Sequence, residues 1–128
     1  MYRALGLLQP TSDYTTAEAV TRLKAQFPSF SVAANGEQIT VSKGDWEIEL
    51  LLNTDPSVAM ESLGYAGKIA GLEPADAANI ESCNRRVDVW SDTPDPFVEH
   101  LADFHSVVGV LKSFRELIAV DPHEPALL

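Results

Sequence analysis

Basic residues are scarce in this sequence. Nine lysines and arginines stand against nineteen aspartates and glutamates in 128 residues, a formal net charge of −10. Affinity for nucleic acid comes chiefly from neutralising phosphates, so this balance excludes a direct DNA- or RNA-binding role. An anionic membrane surface repels the chain for the same reason. Long apolar runs are also missing, and none approaches the length of about 18 residues that marks a spanning helix. Residues 4–8 make too short an apolar stretch for a secretory signal and precede no small-residue cleavage site. With Cys83 as the one cysteine, no intramolecular disulfide can form, and a lone thiol fits a reducing compartment. A cytoplasmic location is expected.

Motifs that carry chemistry are absent as well. Gly67-Lys68 suggests a phosphate loop, but Ser62 stands where that loop needs its first glycine, and Ile69 where it needs a hydroxyl. There is no G-x-G-x-x-G, G-x-S-x-G or C-x-x-C. His100 and His105, five residues apart, point about 140° apart on a helix and cannot share an ion. No cofactor and no metal site is expected.

What is present describes a single domain spanning 1–128. At 45% hydrophobic residues, a chain of this length folds to a radius of gyration of about 14 Å and buries roughly two-thirds of its surface without a staple. Residues 3–8 read as a strand. Thr15 precedes Glu18 by three, a capping-box spacing, and Ala17, Val20, Leu23 and Phe27 then mark a helix that Pro28 stops. Glu18 and Arg22 lie one turn apart on its wet side.

Residues 30–52 alternate as a three-stranded meander. Asn35-Gly36 is a strong hairpin signal and pairs Val32 with Ile39 and Phe30 with Val41. A second two-residue loop at Gly44-Asp45 sets Val41 opposite Ile48 and Ile39 opposite Leu50. The dry face holds Phe30, Val32, Ile39, Val41, Ile48 and Leu50. The wet face carries Ser31, Gln38, Thr40, Ser42, Glu47 and Glu49.

Asp55-Pro56 starts a helix with the acid as cap. Its Ala59, Leu63, Ala66, Gly67 and Ala70 share one face of small residues. Gly64 and Gly71 cost helix propensity, and close approach of a neighbouring element is the expected return. A short helix over 75–83 and a strand over 86–91 follow. Residues 92–96 open the longest helix, about 28 Å if it runs to Phe114, with Phe97, Leu101, Phe104, Val108 and Leu111 as its stripe. A last strand at 117–120 and a loose tail complete the chain. The order β-α-β-β-β-α-(α)-β-α-β implies an α+β fold: a largely antiparallel sheet, the meander plus two or three further strands, with helices packed on one face.

From Thr15 to Phe114 this order of helix, meander, helix, strand and helix loosely resembles that of bacterial type III secretion chaperones. The first strand and the single late strand depart from that order.

Several residues are chemical candidates. His100 falls at the edge of the long helix's stripe with Asp103 one turn on, and a half-buried histidine beside a carboxylate is placed to act as an acid or base. A packed histidine satisfied by that aspartate is the plainer reading. Cys83 is either a thiol activated by Arg85 and Arg86 or a small buried hydrophobe. The stretches 44–67 and 87–111 each hold five acids and no lysine or arginine. Glu47, Glu49, Glu99 and Asp103 form a candidate surface for a basic protein partner. Ala102, Gly109 and Val110 form a strip that could seat a second copy. The resulting expectation is a non-catalytic protein-binding module, acting as a chaperone, adaptor or immunity protein does. The alternative is a small enzyme with a cleft around His100.

Overall fold

The structure, a computed structural model describing residues 2–128, runs β1 (Tyr2–Leu8), α1 (Thr16–Gln26), β2 (Ser31–Asn35), β3 (Gln38–Lys43), β4 (Trp46–Asn53), α2 (Ser57–Lys68), α3 (Pro74–Glu81), β5 (Arg85–Ser91), α4 (Leu101–Lys112), β6 (Leu117–Asp121) and β7 (Ala126–Leu127). The strands form one antiparallel sheet in the order β2-β3-β4-β5-β1-β6-β7. The α+β reading is correct, with four strands beyond the meander. The expected loose tail instead pairs β7 with β6, Val120 opposite Leu127. Among the described residues no helix is long and apolar enough to cross a membrane.

β1 lies inside the sheet and is buried on both sides. Ala4 and Leu8 join the core beneath α1 and α4, whereas Leu5 and Leu7 join a second cluster with Ile69, Ile80 and Cys83. The expectation that the helices share one face is therefore corrected. α1 and α4 cover the meander's dry face, and α2 and α3 cover the other face over β1 and β6. A strand apolar on both sides needs cover on both sides.

Local signals in the first half behave as the sequence dictates. Thr15 Oγ1 accepts the Glu18 amide at 3.1 Å, a cap of about 1 kcal/mol. Glu18 turns to Arg22, 3.0 Å away. The buried face of α1 is Ala19, Leu23 and Phe27, with Ala17 exposed. The Gly44-Asp45 hairpin pairs Val41 with Ile48 and Ile39 with Leu50 as expected. The first hairpin does not. Its loop is Gly36-Glu37, so Val32 faces Val41, Ala34 faces Ile39, and Asn35 stays in the strand opposite Gln38. Gly36 and Gly44 both take left-handed φ, +61° and +63°, at the first loop position, where type II′ hairpins place glycine. A two-residue slip leaves every side chain on its own face, so the hydrophobic pattern could not select the register.

Two helices are placed differently from expectation. Asp55 does cap α2, its Oδ1 accepting the Ser57 amide at 2.8 Å. The buried face, however, is Val58, Ser62 and Ile69, while Leu63 is 49% and Met60 72% exposed. A Cβ built at Gly64 or Gly67 would meet nothing within 4 Å. The two glycines thus meet no other element among the described residues, whereas Ala66 packs against the second cluster. The second helix, α4, starts at Leu101 and not near 95. Asp95 does begin a turn, its carbonyl accepting the Val98 amide at 3.1 Å, but Val98 takes φ +56° and breaks the helical path. Phe97, expected in the core stripe, is 81% exposed.

Candidate functional site

β1 begins, β5 ends and β4 begins at the same end of the sheet, because Tyr2 pairs with Ser91 and Trp46 starts β4. The loop 92–100 crosses this end and is held from three sides. Asp95 Oδ1 accepts the Glu99 amide at 2.9 Å, and its Oδ2 accepts the His100 amide at 2.9 Å and the Tyr2 hydroxyl at 2.7 Å. Partial burial pushes the Asp95 carboxyl upward, but these three hydrogen bonds outweigh it and hold the group below its ordinary value. Tyr2 is pushed up in return, first by its bond to Asp95. Thr93 Oγ1 accepts the Glu47 amide at 3.3 Å, and the Ser91 hydroxyl donates to the Glu47 carbonyl at 2.6 Å.

His100 caps α4 and does not sit on its stripe. Its imidazole lies on the Trp46 indole, centroids 4.3 Å apart and planes 12° from parallel. Its Nδ1 lies 3.0 Å from Asp103 Oδ2. The ring is thus covered on one face by an indole and bonded at its edge by a carboxylate. Four surface cavities, of about 270 to 550 Å³, are lined by other residues. The arrangement positions the loop against the first residue of β4.

The candidate partner residues divide. Glu47 follows Trp46 and Glu99 precedes His100, and those two rings stack. Glu47, Glu99 and Asp103 therefore belong to the end crossed by the loop, with Asp92 and Asp95 in the loop itself, and Glu47 points to the sheet face opposite Trp46. Glu49 shares the face of Glu47 but lies two residues further along β4, where it accepts from Gln38 at 3.0 Å and Thr40 at 2.7 Å. Of these acids, Asp92 is paired with Arg3 at 2.5 Å. Phe97 and the 57% exposed Val98 lie in this loop between Asp95 and Glu99. Periodicity had assigned Phe97 to the core. The available signal was the pair of prolines at 94 and 96, which favour a turn over an uninterrupted helix.

A cavity of about 550 Å³ opens on the sheet face away from α1 and α4. Leu5, Leu51 and Trp90 floor it, and Arg3, Arg86, Asp88, Asp92 and His123 surround them. Sequence reasoning missed it, although Arg86, Asp88 and Trp90 alternate on one side of β5. Its charges are largely neutralised in place. Arg86 Nε donates to Asp88 at 2.8 Å and Nη1 pairs with Glu61. Burial lowers the Arg86 pKa, but the bond to Glu61 and the charges of Asp88 and Glu61 outweigh it and hold the guanidinium above its usual value.

Two further expectations are decided here. Cys83 is fully buried, its thiol donates to the Asn79 carbonyl at 3.3 Å, and burial pushes it up to about 12. It is a buried hydrophobe and not an activated thiol. Val110 is only 8% exposed, so Ala102, Gly109 and Val110 do not form an open strip. Helix α4 turns Val110 toward α1, whose Arg22, Ala25 and Gln26 share a groove with it. No protein-family model, curated protein or solved structure matches the chain.

Proposed function

We propose that this chain is a non-catalytic protein-binding domain, docking through the end crossed by residues 92–100 onto a basic protein with an apolar pocket. The observation that carries the reading is Phe97. A phenylalanine 81% exposed beside a valine in left-handed backbone loses hydrophobic stabilisation and adds strain in a loop that Asp95 nevertheless fixes firmly. Strain and exposure together mark a segment shaped for contact outside the chain. A rigid aromatic anchor between acidic residues matches the anatomy of protein interfaces. The carboxylates of Glu47, Asp92, Asp95, Glu99 and Asp103 supply electrostatic steering toward a cationic surface. The reading takes in a chaperone, adaptor or immunity role.

The test is affinity capture from native cells with the wild-type protein, Phe97→Ala and Glu47→Lys/Glu99→Lys. A basic partner retained at low ionic strength is expected. It should be lost by about 0.5 M salt, where the Debye length is only a few Å, and weakened at least tenfold by Phe97→Ala. Capture indifferent to salt and to Phe97 would refute the reading.

A further inference from the structure

The outer face of α2 offers a second surface, independent of the loop. Ala59, Met60, Leu63, Gly64 and Gly67 are all exposed on it, and no charged side chain is among them. Its two large apolar members, Met60 and Leu63, occupy the N-terminal half, while Gly64 and Gly67 lie toward the C-terminus. Apart from the helix's own neighbouring backbone, nothing among the described residues lies within 4 Å of a Cβ at either glycine. Glu61, the acid nearest this face, is already paired with Arg86 across on β5.

We propose that this face is the interface of a homodimer, formed by α2 packing antiparallel against α2 of a second copy about a two-fold axis between Leu63 and Gly64. That axis sets Leu63 over Gly64 of the other copy and Met60 over Gly67 of the other copy, large against small on both sides of the axis. Self-complementarity of this kind is what an isologous interface requires, and glycine at the crossing lets two helices approach closely. Charge selects the same pairing. In a chain of net charge −10 most surfaces of two copies repel, but this face is neutral. Antiparallel packing also carries Lys68, the one base of α2, to the partner's N-terminal end, where Asp55 is exposed.

Sedimentation velocity from about 1 to 200 μM, with light scattering for mass, tests the assignment. The wild-type protein should move from monomer to dimer across this range. Gly64→Gln and Gly67→Gln should remain monomeric yet unfold at a higher temperature, because each new side chain has open space in the monomer and glutamine outranks glycine in a helix. That rise separates loss of the interface from loss of the fold. Leu63→Cys should crosslink to its own copy under mild oxidation, whereas Ala102→Cys on the exposed side of α4 should not. A wild-type protein that stays monomeric at 200 μM overturns the proposal. So does a dimer that survives both glutamine substitutions or crosslinks equally through position 102.

Discussion

The His100 imidazole stacks on the Trp46 indole at 4.3 Å and joins the first turn of α4 to the first residue of β4. Stacked aromatic pairs contribute about 1 kcal/mol beyond their burial. His100→Ala should therefore lower the melting temperature by about 4 °C. His100→Phe, which keeps the stack and loses the bond to Asp103, should recover most of that loss. Equal losses in a thermal melt would assign the contribution to Asp103.

Val98 and Glu116 both hold φ at +56°. A left-handed residue with a Cβ costs about 1–2 kcal/mol, partly offset in a glycine by its larger unfolded-state entropy. Val98→Gly and Glu116→Gly should each stabilise the protein by roughly 1 kcal/mol in urea titrations, with unchanged m-values. A destabilised Val98→Gly would show that the valine side chain contributes more than its backbone costs.

Ile39 is fully buried in β3, while its neighbour Thr40 is half-buried on the opposite face. Ile39→Asp places an unpaired charge in the core and should prevent folding at 25 °C. Thr40→Asn removes one hydroxyl donor from Glu49 and should cost no more than about 1 kcal/mol. Circular dichroism distinguishes the two, and comparable losses would contradict a two-faced meander.

The buried Cys83 thiol makes stability fall in alkali. Its folded-state pKa is raised to about 12 from an ordinary 9.0, chiefly by burial. Its contribution is complete below about pH 9 and is lost as the pH climbs toward 12, because the unfolded chain releases the proton first. Tyr14, raised to about 12 from 10.0 chiefly by burial, adds to the fall above pH 10. Cys83→Ala should flatten the first part of this decline. A disulfide-exchange reagent at pH 8 should modify Cys83 only as the protein unfolds, and fast labelling of the native protein would contradict the burial.

Local physics was legible in the chain. The Thr15 cap, the Asp55 cap, the Gly44-Asp45 turn and the alternating faces of β3, β4 and β5 each depend on residues close in sequence, whose chemistry acts wherever the segment lies. The acids at 47, 99 and 103 were visible as charges. Their gathering at one end was not, since it depends on Trp46 meeting His100 across 54 positions.

Tertiary structure decided what composition left degenerate. A two-residue slip preserves every face, so the register of β2 rested on the backbone of Gly36 and not on hydrophobicity. The apolar stripe through Phe97 fitted a helix by period, but Asp95, bonded to Tyr2 from the far end of the chain, holds the segment as a loop and turns Phe97 outward. On α2, both the Ala59–Leu63 face and the Val58–Ser62 face could have packed. The sheet buried the latter, because β1 presents Leu5 and Leu7 on that side and needed Ile69 and Ile80 to cover them. Periodicity determines that a helix has a face to bury; only the surface it meets determines which face is left for a partner.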